Sequence, residues 1–196
     1  MKKILIGTHN KGKFKEISFL MSKKIIKISP IDMKIKSPKE TGKTFSDNSI
    51  LKVKYFSKFT NLPIISDDSG LCIFALGQKP GVYSARFAEK QGGFFKAMKK
   101  ILKRMKNSKN RSATFVCSLS FKYPEGKIIT VVGKIKGLIS YKILGKNGFG
   151  YDPIFIPSSK KLTFGQMKKL KKMKMDHRYI AFKKIKKKLI LDKFFI

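Results

Sequence analysis

The segment from Glu40 to Asp68 constrains the fold more than any other part of this sequence, because it encodes a loop, a helix and a strand in succession. It begins with a carboxylate in a loop punctuated by proline and glycine, and apolar residues follow near helical spacing. These apolar positions are Phe45, Ile50, Val53 and Phe56. The short apolar run Ile64–Ser66 then predicts a strand that ends at two adjacent aspartates.

Packing of this helix against this strand brings Glu40 into the neighbourhood of Asp67 and Asp68. Three carboxylates that converge where strand ends meet loops make a site for a hard cation such as Mg²⁺. Taken alone, the two aspartates are equally compatible with a turn at a strand end or with a helix cap. An acid-rich site in a chain this basic indicates a function for the carboxylates.

Lysine dominates the charge of the chain, which has a formal net charge of +35 over 196 residues. Only four of its 46 basic residues are arginine, and lysine is spread along the whole chain. Nucleic-acid-binding surfaces concentrate charge on one face and combine arginine with aromatic residues, so the pattern favours a solvated surface over a specific nucleic-acid site. Non-specific binding to RNA or DNA at low salt is expected whatever the function.

Composition predicts one domain over residues 1–196, since 42% of the residues are hydrophobic and a core is possible. The apolar runs are far shorter than the roughly 20 residues that span a bilayer, and the N-terminal run is shorter than the core of a signal peptide. We therefore expect no membrane partner and a cytoplasmic location. Cys72 and Cys117 lie in apolar runs without a CxxC spacing and are expected to be buried thiols.

The order of elements along the chain predicts an α/β fold with a mixed sheet, because strands and helices alternate early and a hairpin follows. Besides the central segment, strands are predicted over Lys3–Gly7 and Ile25–Ile28, and a hairpin over Ala113–Tyr123 and Lys127–Val132, with a possible extension of the sheet over Lys134–Tyr141. Helices are predicted over Gly12–Met21, Phe94–Met105 and His177–Leu191, and a partly helical segment over Thr163–Met175.

The turn THNKGK joins the first strand to the first helix and carries Thr8, Asn10 and Lys13. Such a turn directs backbone N–H groups and the positive end of a helix at one point, which suits a phosphate. The spacing of Gly7, Gly12 and Lys13 mimics a P-loop, but Phe14 stands where a P-loop needs Ser or Thr for its Mg²⁺. A plain tight turn with solvated lysines is the alternative.

Six motifs in this order and spacing resemble the inosine triphosphate pyrophosphatase family, also called the Ham1/RdgB-like family. They are THNKGK, ETGKTF, SDDSG, PGVYSARF, NGFGYDPIF and DHR, and the match extends from Ile4 to about Phe182. The resemblance implies a Mg²⁺-dependent homodimer that hydrolyses ITP, dITP and XTP to the monophosphate and pyrophosphate. It also implies an elongated mixed sheet flanked by helices, with two lobes and the active site in the cleft between them.

The resemblance assigns the phosphate and metal chemistry to the first third of the chain. It implies that Glu40, Asp67 and Asp68 hold Mg²⁺ and that Asp68 is the general base that activates water. The residues implied to contact the phosphates are Thr8, His9, Asn10, Lys11, Gly12, Lys13, Lys52 and Ser69. These lysines together with Mg²⁺ neutralise the triphosphate and stabilise the charge that develops in phosphoryl transfer.

The resemblance assigns recognition of the base to the second half of the chain. The residues implied are Phe149, Gly150, Tyr151, Asp152, Lys172, His177 and Arg178. Phe149 offers a ring for stacking, and donors from His177 and Arg178 favour the 6-oxo group of hypoxanthine and xanthine over the amino group of adenine. The sequence departs from the family pattern at Asp176, where serine is usual, and at KKLK (168–171), where the family has an acidic run.

Two other functions stay open on the sequence alone. A P-loop-like NTPase or kinase is disfavoured by Phe14 and predicts release of orthophosphate or phosphoryl transfer. A basic nucleic-acid-binding protein accounts for the charge and leaves the carboxylates without a role.

Overall fold

A computed structural model describes residues 2–158 and 160–191 of the chain. Six strands in these ranges form one sheet, in the order β2-β1-β3-β4-β5-β6. The strands are β1 (Lys3–Ile6), β2 (Ile26–Ile28), β3 (Ile64–Ile73), β4 (Ser112–Lys122), β5 (Ile128–Ile139) and β6 (Phe155–Pro157). Since β1 pairs in parallel with β2 and β3 while β5 and β6 are antiparallel, the predicted mixed α/β sheet is confirmed.

The helices are α1 (Lys11–Leu20), α2 (Phe45–Phe56), α3 (Ser84–Lys90), α4 (Phe94–Arg104), α5 (Lys169–Met173) and α6 (His177–Leu191). Short 3₁₀ turns cover Phe74–Leu76, Gly81–Tyr83 and Asp152–Ile154. In the part of the chain that the structure describes, no helix is long and apolar enough to cross a bilayer.

The chain divides into two compact units. Among the described residues, the first unit contains 2–68, 117–133 and 178–191, and the second contains 69–116 and 134–177. The predicted domain extends over residues 1–196, and its residues 1, 159 and 192–196 lie outside the described ranges.

The first unit buries both faces of its strands. Ile4 and Ile6 of β1 belong to a core with α1 and α6, whereas Leu5 belongs to a second core with Val53 and Phe56 of α2. Alternating residues of one strand thus enter different cores, which is why the run from Ile4 to Ile6 is continuously apolar. The second unit has its own core, built on α3, α4 and the aromatic residues around Phe155.

The predicted end of the third strand is wrong. β3 does not stop at Ser66 but continues through Asp67, Asp68 and Ser69 to Ile73, and both aspartates are buried. Aspartate and glycine disfavour strands on average, but long-range contacts decide strand formation more than intrinsic preference does. Here the contacts are to basic and amide side chains that compensate the buried carboxylates.

Most other predicted elements are present, with two differences. The segments predicted as Lys127–Val132 and Lys134–Tyr141 are one strand, β5, which follows β4 after a turn in which the Tyr123 N–H donates to the Lys127 carbonyl at 2.9 Å. Helix α3 and strand β6 were not predicted. Helix α6 has the predicted bounds, and the predicted helix within 163–175 is reduced to α5.

Candidate functional site

The turn between β1 and α1 is held by its own side chains. Asn10 caps α1 because its Oδ1 accepts the backbone N–H of Lys13 at 3.0 Å, and Thr8 Oγ1 accepts the N–H of Asn10 at 3.2 Å. The first turn of α1 contains no acidic residue, so its positive end is not neutralised from within the helix. Thr8, Asn10 and Lys13 therefore form a compact turn of the kind that binds a phosphate.

The other residues predicted around the phosphates have different environments. The His9 ring is hydrogen-bonded through Nε2 to the carbonyl of Ile35 at 2.9 Å, which fixes that ring. Lys11 is exposed and Gly12 is half-buried. Ser69 lies within β3, beyond the predicted end of that strand.

Helix α2 presents two polar side chains one turn apart, Asn48 and Lys52, and both are buried. The Nζ of Lys52 lies 3.1 Å from Oε1 of Glu40. Asn48 donates to Oδ2 of Asp68 at 2.9 Å and accepts the N–H of Gly42 at 2.7 Å. Lys52 was predicted from the sequence as a site residue, whereas Asn48 was not. The available signal was a polar residue four positions before Lys52, on the same face of the helix.

Asp67 is fully buried and is held by two cationic side chains. Its Oδ2 accepts hydrogen bonds from Nη2 and Nε of Arg178 at 3.0 and 3.3 Å, and the Nζ of Lys13 lies 3.4 Å away. The Nη1 of Arg178 also donates to Glu16, a residue that the sequence analysis missed. Glu16 lies beside Ile17 on the buried side of α1, and an acid in that position of a lysine-rich chain was the signal.

We call this network the carboxylate cluster. Its members are Glu16, Glu40, Asp67, Asp68, Lys13, Lys52 and Arg178. All belong to the first unit. Arg178, which the resemblance assigned to the base, is 1% exposed and is engaged here by carboxylates.

The two adjacent aspartates have opposite pKa shifts. Burial raises the pKa of Asp68 and the charge of Glu40 adds to this, while Lys13, Lys52 and the hydrogen bond from Asn48 oppose it. Burial also acts to raise the pKa of Asp67, but the positive charges of Lys13, Arg178 and Lys52 outweigh it and hold that pKa far below its usual range. Asp68 is therefore the more basic carboxylate of the pair, which is the property that a general base requires.

The donor set of this cluster fits a hard cation in part. Within the described ranges, no group of three or more His, Cys, Asp and Glu side chains is arranged to hold a metal ion. Mg²⁺ needs less, because it commonly binds one or two carboxylates together with substrate phosphates and water. Glu40 and Asp68 supply two such carboxylates, and their mutual repulsion contributes to the raised pKa of Asp68. A cation beside them relieves that repulsion.

A second group of buried charges lies in the second unit, and we call it the Lys172 cluster (Asp152, Lys172 and Asp176). The Nζ of Lys172 lies 2.6 Å from Oδ2 of Asp152 and 3.9 Å from Oδ2 of Asp176. The same ammonium lies 4.8 Å from the centre of the half-buried Phe149 ring, within range of a cation–π interaction. Lys172 is thus held at one place, although Lys169, Lys171 and Lys174 nearby in the sequence are exposed.

The Gly-rich loop before Asp152 is shaped by that carboxylate. Oδ2 of Asp152 accepts the N–H of Phe149 at 2.8 Å. Gly148 has a positive φ of 76°, and a Cβ there would overlap the Asp152 carboxylate, so only glycine fits. Asp152 therefore positions both Lys172 and the backbone of Phe149.

Tyr151 and His177, which were also predicted to contact the base, are buried in the second unit. The hydroxyl of Tyr151 donates to the carbonyl of Ser84 at 2.9 Å, and burial raises its pKa. The ring of His177 stacks on Phe115, with 4.8 Å between ring centres and 9° between planes. Gly150 has a positive φ of 66° and is half-buried.

Comparisons with known proteins give one consistent result. The model of the Ham1 family matches residues 4–188. The dITP/XTP pyrophosphatase of Dictyoglomus thermophilum is 40% identical over 198 residues, covering 96% of this chain and 94% of the relative. The dITP/XTP pyrophosphatase of Caulobacter vibrioides is 38% identical over 186 residues, covering 94% and 96%.

Solved structures agree with the sequence comparisons. The Ham1 protein of Staphylococcus aureus superposes with a TM-score of 0.86 at 34% identity, covering 97% of this chain and 100% of that one. A HAM1 protein from Coxiella burnetii superposes with the same TM-score at 32% identity, covering 98% and 100%.

Proposed function

Because the chain belongs to the Ham1 family, we propose that it is a Mg²⁺-dependent pyrophosphatase of non-canonical purine nucleoside triphosphates, which hydrolyses ITP, dITP and XTP to the monophosphate and pyrophosphate. The observation that carries this proposal is the carboxylate cluster. It combines a buried carboxylate of raised pKa, Asp68, with the ammonium groups of Lys13 and Lys52. The relatives described above are named dITP/XTP pyrophosphatases.

The triphosphate is bound by the turn between β1 and α1 and by Lys52. The first turn of α1, which contains no acidic residue, lies in the same short segment as the hydroxyl of Thr8 and as Lys13. An anion bound there is stabilised by the helix dipole and by the charge of Lys13. Lys13 and Lys52 neutralise charge on the phosphates and stabilise the further charge that develops on the leaving pyrophosphate.

Asp68 takes a proton from the attacking water. The water oxygen forms a bond to the α-phosphorus, the bond from that phosphorus to the bridging oxygen breaks, and pyrophosphate leaves with the bonding electrons. The proton of the water goes to the Asp68 carboxylate. Burial supports this role, because it makes the ionised carboxylate more basic than an exposed aspartate.

Glu40 and Asp68 are the residues that would hold Mg²⁺, which would supply positive charge to the phosphate oxygens. Asp67 was predicted as a further ligand, but its Oδ2 is engaged by Arg178 and Lys13. We therefore propose that Asp67 is the counter-ion of these two cations.

The base is recognised by residues of the second unit. Phe149 stacks on the purine, and Lys172 and Asp152 fix the loop that carries this ring. His177 donates to the 6-oxo group, in keeping with the family resemblance. The resemblance gives Arg178 the same role, but its guanidinium group is engaged by Glu16 and Asp67. The base contacts of Gly150 and Tyr151 are assigned through their backbone, because the Tyr151 hydroxyl is committed to Ser84.

The same resemblance underlies our proposals of a homodimer and of a cytoplasmic location. Light scattering in solution tests the dimer, since a mass near 22.4 kDa excludes it.

Product analysis tests the proposed reaction. We expect pyrophosphate and IMP from ITP in the presence of Mg²⁺, similar products from XTP, and little product from ATP or GTP. Orthophosphate and a diphosphate would indicate a γ-phosphate hydrolase instead. No turnover of any nucleotide would contradict the proposal.

A further inference from the structure

We propose that Asn48 is a positioning residue that ties the Glu40 loop and the Asp68 carboxylate into one frame. The proposal rests on the proposed function, in which Glu40 and Asp68 act together. Neither the motifs nor the comparisons assign Asn48 a role.

Asn48 uses both ends of its amide. Its Oδ1 accepts the backbone N–H of Gly42 at 2.7 Å, and its Nδ2 donates to Oδ2 of Asp68 at 2.9 Å. The orientation of the amide is unambiguous, because the backbone N–H can meet only the oxygen and the carboxylate only the NH₂ group. Gly42 is two residues from Glu40, so one side chain connects the loop of one acid to the other acid.

An asparagine is the side chain that this position requires. Aspartate has the same shape and, when ionised, cannot donate to Asp68, while serine is too short to span both partners. Asparagine is a poor residue for a helix interior, and Asn48 is fully buried within α2. Helix stability alone therefore does not account for its presence.

The loop that carries Glu40 approaches Asn48 closely at Gly42. A Cβ on Gly42 would lie 2.6 Å from Oδ1 of Asn48 and 2.6 Å from Cβ of Asp47. Only a residue without a side chain brings its N–H this close to the helix. The close approach and the two hydrogen bonds together hold the Asp68 carboxylate against rotation and keep the Glu40 loop beside it.

The test compares two neighbouring buried residues of α2. Asn48→Ala removes both hydrogen bonds. Ser49→Ala is the matched control, because Ser49 is equally buried and its hydroxyl bonds to Ser118 and Ser120 at 2.9 and 2.8 Å, away from the two acids.

We expect Asn48→Ala to lower kcat on the order of 10- to 100-fold, as for other residues that orient metal ligands. We expect KM to change less than about threefold, since no contact to substrate is removed. Ser49→Ala lowers the melting temperature and leaves kcat per folded molecule unchanged.

Two further readouts do not depend on turnover. Calorimetric titration with Mg²⁺ alone is expected to show weaker binding to Asn48→Ala than to Ser49→Ala. Amide hydrogen exchange of the unmodified protein is expected to show that the Gly42 N–H is better protected than the N–H groups of Thr41 and Lys43. This measurement stands even if Asn48→Ala fails to fold.

The outcomes separate this inference from the proposed function. Equal loss of kcat in both variants, or a Gly42 amide that exchanges as fast as its neighbours, overturns the positioning role of Asn48 while the reaction stands. If the unmodified protein turns over no nucleotide, the proposed function fails, and Mg²⁺ binding and Gly42 exchange still decide whether Asn48 joins the two acids.

Discussion

The carboxylate cluster of the first unit and the Lys172 cluster of the second are both largely buried, yet they differ in how many cations they contain. In the carboxylate cluster, three cationic side chains are shared among four carboxylates, and Asp67 contacts two of the cations. In the Lys172 cluster, one ammonium contacts Asp152 at 2.6 Å and faces Asp176 at 3.9 Å. The first cluster therefore brings several cations, two of them lysines, to one place, whereas the second holds a single cation.

The difference suits two kinds of ligand group. A triphosphate brings several negative charges, and its binding requires cations that are close but not fully committed. A purine base is nearly neutral and is recognised by shape, stacking and hydrogen bonds, which require fixed groups. Six of the 11 acidic residues of the chain lie in these two clusters. In a chain with 46 basic and 11 acidic residues, an acidic residue is therefore a stronger sequence signal for these clusters than a lysine.

The largest expected effect comes from removing the basic carboxylate of the first cluster. Asp68→Asn is expected to lower kcat about 10²- to 10⁴-fold, because it removes the proton acceptor and a metal ligand together. Steady-state kinetics with ITP measure this change. The control is Asp32→Asn, the same substitution at an exposed aspartate, and circular dichroism checks that both variants fold. Retained turnover in Asp68→Asn would remove Asp68 from its role.

A second effect concerns the stability of the first cluster. Arg178→Ala leaves Glu16 and Asp67 buried without their shared cation, and breaking such a pair costs about 3–5 kcal/mol. Urea unfolding measures the loss, with Lys187→Ala on the exposed face of α6 as a control expected within about 0.5 kcal/mol. Adding Glu16→Gln to Arg178→Ala is expected to restore part of the stability, because it removes one uncompensated charge. A loss below about 1 kcal/mol in Arg178→Ala would show that these carboxylates are solvated.

A third effect concerns the ring beside the Lys172 cluster. Phe149→Ala is expected to raise the KM for ITP by the equivalent of about 1–3 kcal/mol, the usual value of stacking between a base and an aromatic ring. Phe95→Ala is a matched control, because Phe95 also lies under an ammonium, that of Lys99 at 4.6 Å, and is not part of the predicted site. An equal KM in the two variants would identify Phe149 as a packing residue.

The fold was predictable from the sequence where a local pattern determines the structure. The apolar run of β1 and the periodicity of α6 are local, and both elements are present. The end of β3 was not predictable in this way, because Asp67 and Asp68 continue the strand only when Arg178, Lys13 and Asn48 satisfy their carboxylates. These contacts join residues far apart in sequence.

The site was predictable for residues inside recognisable motifs and not for their supports. Glu16 and Asn48 lie outside the six motifs. Each contacts a partner that is brought close only when the chain is folded. The same holds for Tyr151, which lies in a motif although its hydroxyl is bound to Ser84. A motif thus indicates which residues belong to a site, whereas the contacts decide which of them face a ligand.

The smallest expected effect concerns the preference between XTP and ITP, which the charges of the Lys172 cluster are expected to influence. Asp176→Ser removes one of the two carboxylates around Lys172 and keeps a residue suited to precede α6, since serine and aspartate both cap helices well. Xanthine loses a proton more readily than hypoxanthine and so carries more negative charge, which the Asp176 carboxylate disfavours. The ratio of kcat/KM for XTP to that for ITP is therefore expected to rise in Asp176→Ser, by less than about fivefold. Asp32→Ser controls for the change in total charge. A constant ratio would mean that Lys172 neutralises the charge of Asp176 at the base. A lower ratio would contradict the expected repulsion between Asp176 and xanthine.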